Sequence, residues 1–357
     1  MDKKMTKEAL DVLKSHKKLV WPEIQKYLKS PIFPSVFKIP ERYKSLEKFH
    51  WKVSCEYPER QGKYLRPTLL MLTATVLGGS KKHALKTASA MQLSQEWLLI
   101  HDDLEDGSLL RRGKPTLHEM YGFEYAINAG DALHGVMWKI LLDNLSLLGA
   151  RKTSEIIDEF YSMISRTILG QTVDIKWFKE NKLDFSNNDW YFVADSKSSY
   201  YTITGPMRLG AIIAGANSKQ LKLITKFGLE LGRCFQLVDD ILDVTSDFKG
   251  LKHAGNDIFE GKRTILLGHL LRCIKFSDRK KVLSILNKTR EEKTNKEVVW
   301  IIKKMYEYKS IDYAKRLAKT HKEKALRIFD KELGFLSKQS ARNSLKLLTN
   351  FILERDY

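Results

Sequence analysis

The chain has 357 residues, 43% of them hydrophobic, which is ample for a buried core without disulfide or metal staples. Its formal charge of +19 would suit nucleic acid, an anionic membrane surface or a polyphosphate. No zinc-finger spacing, RNA-binding aromatic motif or DNA-reading module accompanies that charge, so nucleic acid is set aside as a partner.

Taken in chain order, a first amphipathic helix gives way to an irregular segment marked by Pro31, Pro34 and Pro40. Residues 1–45 are read as this helix and proline-containing segment, at the start of one domain spanning 1–357. In Gly62-Lys63-Tyr64-Leu65-Arg66-Pro67, the proline suits the first turn of a helix whose N-terminus adds its own positive end. An apolar run then leads into Asp102-Asp103-Leu104-Glu105-Asp106, followed by Leu109-Leu110-Arg111-Arg112-Gly113-Lys114-Pro115-Thr116. The stretch from Asn181 to Asp189 reads as a polar loop, and Thr202-Ile203-Thr204 is too short and isolated for a sheet. Pro206 is the last proline, and segments behind it, such as Leu221–Gly232 and Ile265–Ile274, repeat apolar residues at helical spacing. The fold expected is all-α, a single large bundle of long helices around a central cavity.

No apolar run reaches the length of a membrane span, and Met1–Glu8 lacks the apolar core of a secretion signal. Cys55, Cys234 and Cys273 are scattered and odd in number, without metal-ligand spacing. They predict reduced thiols in a soluble, cytoplasmic protein.

A second acidic cluster, Asp239-Asp240-Ile241-Leu242-Asp243, has the shape of the first. One acidic stretch on a helix is usually a solvated face, but two copies behind apolar runs are harder to dismiss. Side chains four apart share a helix face, so Asp102 pairs with Asp106 and Asp239 with Asp243. Gln236, Asp239, Asp240 and Asp243 fall on one stripe, opposite Leu237, Val238, Ile241 and Leu242. Two carboxylates about 5 Å apart repel by roughly 3 kcal/mol at an effective dielectric of about 20. A divalent cation relieves that repulsion. Oxygen ligands without nearby cysteine point to magnesium, which keeps waters and shares its other sites with phosphate oxygens.

Behind the second cluster comes Gly255-Asn256-Asp257-Ile258-Phe259-Glu260-Gly261-Lys262-Arg263-Thr264, so each acidic cluster is trailed by glycine and basic residues. Arginine forks and lysine point charges beside a metal suit a bound phosphate.

These residues resemble the trans-polyprenyl diphosphate synthases, and the short-chain geranylgeranyl type in particular. The likeness runs from about Gly62 to Thr264 through seven elements in the family's order: Gly62 to Pro67, the first aspartate cluster, Arg111-Arg112-Gly113, Gly170-Gln171, Lys197-Ser198, Phe235-Gln236 before the second cluster, and Gly261-Lys262-Arg263-Thr264. It implies that Asp102, Asp103, Asp106, Asp239, Asp240 and Asp243 bind several magnesium ions that bridge to an allylic diphosphate, with Arg111, Lys197 and Lys262 as its cationic contacts. It assigns Lys63, Arg66, Gln95 and Arg112 to the diphosphate of isopentenyl diphosphate. Gln171 and Gln236 support the network, and Phe235 and Ser198 join the substrate-binding set. It further implies a homodimer.

The implied reaction is ionisation of the allylic carbon–oxygen bond, attack by isopentenyl diphosphate and loss of a proton to the released diphosphate. Charge developing on the leaving group explains the many cations. The growing chain should run from the metal site past residues preceding Asp102. Trp97 and Leu98 lie about 7.5 and 6 Å back along the helix axis, where a bulky side chain forms a floor and favours the twenty-carbon product. Core packing accounts for Trp97 equally well. Ser94 would not block growth by itself, which leaves farnesyl (fifteen-carbon) and geranylfarnesyl (twenty-five-carbon) products open. Gln95 stands where many relatives carry histidine and Ser198 where threonine is usual, and both keep hydrogen bonding. The end, Glu354-Arg355-Asp356-Tyr357, lacks the basic tail of one branch, so no substrate contact is assigned to it.

A class I terpene cyclase also ionises a diphosphate with aspartate-bound magnesium, but it would leave Lys63, Arg66 and Arg112 without a second diphosphate to bind. A noncatalytic prenyl diphosphate-binding subunit is the other alternative, though both aspartate clusters are complete. The residual positive charge adds a weak peripheral contact with anionic membranes.

Overall fold

The computed structural model describes residues 3–31, 33–245 and 255–353. As expected from the sequence, the architecture is all-α. The first helix, α1 (Lys3–Leu28), is followed by the proline-marked stretch and a short 3-10 turn, then by α2 (Lys44–Arg60). Next come α3 (Leu65–Val76) and α4 (Lys81–Glu105). A two-stranded hairpin, β1 (Leu110–Arg111) and β2 (Lys114–Pro115), leads to α5 (Leu117–Tyr121), α6 (Phe123–Leu142) and α7 (Leu145–Lys179), the last interrupted at Gly149. The middle of the chain holds α8 (Asn187–Val193), a π-helical segment (Ala194–Thr204), α9 (Gly205–Ile213) and α10 (Ser218–Thr245). Beyond Gly255 follow α11 (Asn256–Phe259), α12 (Ile265–Cys273), α13 (Phe276–Leu286), α14 (Asn295–Glu307), α15 (Ser310–Lys331) and α16 (Gln339–Leu353).

The helix α3 is the axis of the bundle. Ten of its twelve residues are buried, as its all-round apolar sequence requires, and its two sides feed two core groups. Leu65, Leu69, Leu72 and Val76 belong to the core group that includes residues of α10, α12 and α14 to α16, whereas Leu70, Met71 and Ala74 belong to the one that includes residues of α2, α4, α6 and α7. The π-helical segment also contributes to both groups, through Ile203 on one side and Tyr200 and Tyr201 on the other.

Two glycines let neighbouring helices close on that segment. A Cβ on Gly170 of α7 would lie 2.6 Å from the Lys197 backbone nitrogen, and one on Gly232 of α10 would lie 2.5 Å from Ser199 Cβ. Gly170-Gln171 is thus a packing contact that fixes where Lys197 sits.

Thr202-Ile203-Thr204, read as too short and isolated for a sheet, ends the π-helical segment, where its β-branched residues serve core packing. The structure departs from the sequence expectations at two places. The loop expected over Asn181–Asp189 stops at Ser186, where a capping box starts α8: the Asp189 N–H donates to Ser186 Oγ (3.2 Å) and the Ser186 N–H donates back to Asp189 Oδ2 (2.8 Å). The hairpin was unforeseen. It turns at Arg112 and Gly113, with φ of 55° and 75°, the left-handed pair that a two-residue hairpin needs. Glu354 to Tyr357 lie outside the described residues, whereas Cys55, Cys234 and Cys273 are free thiols as read.

Candidate active site

The first aspartate cluster ends α4, and its three aspartates do different things. Asp103 is fully buried and faces away from the cavity. It accepts a fork from Arg111, with Nε 3.0 and 2.9 Å from its two oxygens, and a 2.6 Å bond from the Tyr57 hydroxyl. Asp102 faces Lys197 (3.6 Å), with Arg111 at 3.9 Å, and accepts from Gln171 Nε2 at 3.3 Å. Asp106 caps the helix and pairs with Lys262 at 3.2 Å. Burial works to raise the Asp102 carboxyl, but Lys197, Lys262 and Arg111 together hold it below its usual value. At Asp106, burial wins and the carboxyl is pushed up to about 6, against the pull of Lys262.

The second cluster lies on α10. Asp240 is buried, and one oxygen accepts from Gln236 Nε2 at 2.7 Å. Its other oxygen, Oδ2, has no hydrogen-bond partner among the described residues. Burial, with repulsion from Asp257, Asp239 and Asp243, drives its carboxyl well above the ordinary range. Asp243 accepts the Asp257 backbone N–H at 3.0 Å, and its own carbonyl accepts the Gly255 N–H at 2.7 Å, so it anchors the returning loop. Asp257 and Lys262 are thereby held beside the cluster.

Lys197 sits on the π-helical segment, a geometry that inserts extra residues per turn and recurs at functional sites. Its ammonium lies 2.9 Å from Asp174 and 3.6 Å from Asp102. Burial opposes the charge there, but Asp174 and Asp102 overcome it and raise the lysine pKa. Lys262 pairs with Glu260 at 2.6 Å, and Glu260 is held down at about 2, since Lys262, Asn256 and Arg290 outweigh its burial.

Three cavities share walls here. The smallest, of about 180 Å³, lies between the clusters and is lined by Asp102, Lys197, Ser198, Gln236, Asp240 and Lys262, together with Asp174 and Asp257. Through Asp102, Lys197 and Ser198 it adjoins a cavity of about 380 Å³ that carries Gln171, Trp97 and Leu98. Through Arg66, Gln95 and Thr202 that space adjoins a third, of about 550 Å³, lined by Lys63, Arg66, Gln95, Arg111, Arg112 and Phe235. The expected residues therefore fall into a carboxylate end, an apolar-floored middle and a basic end. Of the aspartates in the two clusters only Asp102 and Asp240 line these cavities, whereas Asp103, Asp106, Asp239 and Asp243 do not, and Arg111 lines the basic end.

The basic end is strained and crowded with charge. Gln61 and Tyr64 flank Gly62-Lys63 with φ of 46° and 60°, left-handed values for residues that carry side chains. Arg112 forks onto buried Glu96 at 2.9 and 3.1 Å. Burial raises the Glu96 carboxyl and the Arg112 fork opposes that rise. Arg66 donates to Thr202 at 2.8 Å and lies over the Tyr201 ring at 4.8 Å. From α1, Lys17 lies 5.5 Å from the centre of the Tyr64 ring, its ammonium pKa lowered by burial and by Arg112.

A divalent cation fits the carboxylate end. The orphaned Asp240 oxygen and the raised carboxyls of Asp240 and Asp106 are hard oxygen donors short of positive charge. Among the described residues no three acidic, histidine or cysteine side chains are gathered around one point. Each ion would take one or two carboxylates and complete its shell with water and diphosphate oxygens, the habit of magnesium.

Several participants escaped the sequence reading. Asp174 follows Gln171 by three and shares its helix face, a signal that was available. Asp257 and Glu260 stand inside the run that carries Lys262. Glu96, Tyr57, Tyr201 and Lys17 carried no local signal, because distant contacts bring them in. His134 of α6 stacks on Trp97 with ring centroids 3.9 Å apart and accepts from Trp138 Nε1 at 2.8 Å.

Residues 50–305 match the family model described as polyprenyl synthetase. A geranylgeranyl diphosphate synthase of Sulfolobus acidocaldarius is 35% identical over 302 residues, 82% of this chain and 87% of the relative. A geranylfarnesyl diphosphate synthase of Aeropyrum pernix is 32% identical, over 82% of this chain and 90% of the relative. Among solved structures, geranylgeranyl pyrophosphate synthetase from Pyrococcus horikoshii Ot3 superposes with a TM-score of 0.83 at 27% identity, covering 98% of this chain and 99% of that one. With its sequence matched over most of its length and its fold matched end to end, this chain belongs to the polyprenyl synthetase family.

Proposed function

We propose that the protein condenses isopentenyl diphosphate head to tail with allylic diphosphates, in a magnesium-dependent reaction, and releases geranylgeranyl diphosphate. The observation that carries this reading is the juxtaposition of two anion sites of different construction. One is a carboxylate end whose raised carboxyls call for cations, and the other is a basic end served by Lys63, Arg66 and Arg112. The cavity between them has an apolar floor at Trp97.

In this reaction Lys197 and Lys262 face the allylic diphosphate and stabilise the negative charge it gains as the carbon–oxygen bond breaks. When bound, magnesium would add Lewis-acid stabilisation of the same leaving group. Lys63, Arg66, Gln95 and Arg112 hold isopentenyl diphosphate so that its double bond points at the allylic cation. The π electrons form the new carbon–carbon bond, a proton leaves the adjacent carbon for the released diphosphate, and the product is longer by five carbons. Gln171, Gln236, Phe235 and Ser198 complete the substrate walls. Asp102, Asp106, Asp239, Asp240 and Asp243 are the proposed metal ligands, and Asp103 acts through Arg111.

Support for the twenty-carbon product comes from the Trp97–His134 stack, backed by Trp138, which makes a thicker floor than tryptophan alone. The same reading treats residues 1–357 as one domain of a cytoplasmic homodimer. Exposed Phe123 and Ile127, four apart on one face of α6, support a contact face for a second copy. Among the described residues no helix is long and apolar enough to cross a membrane, and a peripheral contact with anionic membranes belongs to this reading.

The test is an elongation assay on purified protein with magnesium, labelled isopentenyl diphosphate and, separately, dimethylallyl, geranyl and farnesyl diphosphate. Products ending at twenty carbons support the reading, and longer ones remove the floor. Failure of folded protein with every starter removes the catalytic role.

A further inference from the structure

Between α1 and α2 the chain leaves the helical body and exposes large apolar groups. Residues 33–38 are all exposed, with Phe33 at 43%, Val36 at 87% and Phe37 at 57%. They form one cap. A turn closed by Phe37 N–H to the Pro34 carbonyl, at 2.8 Å, has Ser35 and Val36 as its central residues, and the rings of Phe33 and Phe37 pack with centroids 5.2 Å apart. Apolar groups gathered on one exposed crest mark a contact surface more than scattered ones do.

The chain on either side of the crest is basic. From residue 29 to residue 48 the chain carries Lys29, Lys38, Arg42, Lys44 and Lys48 against Glu41 and Glu47. Glu41 is already paired with Lys44 at 2.6 Å. An apolar crest with basic residues on either side of it in the chain matches a bilayer interface, where hydrocarbon sinks between headgroups and ammonium groups meet anionic phosphates. A second copy of the chain matches it poorly. Two-fold pairing would set these basic flanks against their own copies, in a chain whose formal charge is +19.

We propose that the tip formed by Phe33, Val36 and Phe37, with its basic flanking residues, docks the protein on anionic bilayer surfaces. This deepens the membrane contact of the proposed function and rests on that part of it alone. The tip precedes residue 50, where the family match begins, so altering it leaves the matched core intact.

The experiment is flotation of the full chain with vesicles of phosphatidylcholine alone or mixed with phosphatidylglycerol, at low and high salt. The wild-type chain is expected to float with the anionic vesicles at low salt and to release at high salt. A Val36→Ser, Phe37→Ser double variant should lose about tenfold in vesicle partitioning while keeping elongation of soluble substrates. A Lys38→Gln, Lys48→Gln variant should bind more weakly and with a flatter salt dependence. Undiminished flotation of the crest variant, or no flotation of the wild type, overturns the proposal. So does a change in oligomeric mass of the crest variant by light scattering, which would make the tip a contact between copies. Absence of elongation with intact flotation would count against the synthase reading and leave the docking surface standing.

Discussion

The ammonium of Lys262 lies 3.2 Å from Asp106 Oδ2, so the loop behind the second aspartate cluster is ion-paired to the last carboxylate of the first. The two halves of the carboxylate end are thereby linked through one side chain. Lys262→Met should cut kcat by about a hundredfold or more, since it removes a preorganised cation from the leaving-group site. Steady-state elongation kinetics check this, and a variant that changes KM for isopentenyl diphosphate alone would assign Lys262 to the other end.

Adjacent aspartates should respond in opposite ways. Asp103→Ala strands the Arg111 fork and the Tyr57 hydroxyl in a buried place, with an expected cost of about 3–5 kcal/mol. Asp102→Asn, at the cavity wall, should leave the melting temperature within a few degrees and lower activity by about a hundredfold. Thermal melts without metal, run beside elongation assays, separate the two.

Acidity should control metal binding with a definite sign. Burial lifts the Asp106 carboxyl from 3.8 to about 6, so between those values the folded chain holds a proton that the unfolded chain has lost. Its contribution to stability is present in full below the lower value and disappears as pH rises through about 6. Asp240, raised by burial and by Asp257, acts in the same direction. Magnesium competes for the site that the proton vacates. The gain in melting temperature from magnesium should grow between about pH 5 and about pH 7, with apparent affinity rising up to about tenfold per unit below the Asp106 value. A pH-independent gain would sink this account.

Removing the floor should lengthen the product. Trp97→Ala leaves His134 without its stacking partner and opens the middle cavity, so chromatography should reveal products at least five carbons longer. Trp97→Phe should keep the original length. An unaltered profile from active Trp97→Ala protein would take Trp97 out of chain-length control.

Much of this site was legible in the sequence because it depends on short-range geometry. Residues four apart on a helix share a face wherever the helix goes, so the pairings of Asp102 with Asp106 and of Asp239 with Asp243 could be read directly. The helical character of the chain behind Pro206 followed from apolar spacing in the same way. Spacing could not tell which of Asp102 and Asp103 faces the cavity. Tyr57, from α2, and Arg111, from the hairpin, decide that. The π-helical segment was illegible for a similar reason, since its winding accompanies the close approach of Gly170 and Gly232 from other helices. The Arg112-Gly113 turn and the Ser186 to Asp189 capping box did carry local signals and went unread.

The winding of residues 194–204 also bears on how this chain can change over evolutionary time. Each residue of an ordinary helix advances about 100° around the axis. Losing one residue from the eleven of this segment would let it relax to that ordinary pitch and swing Lys197 out of register with the helices on its far side. Side chains here can be exchanged one for another, but the length of the segment is fixed by the chemistry it serves. Insertions and deletions among homologues should therefore collect in the connections around it and spare these eleven positions.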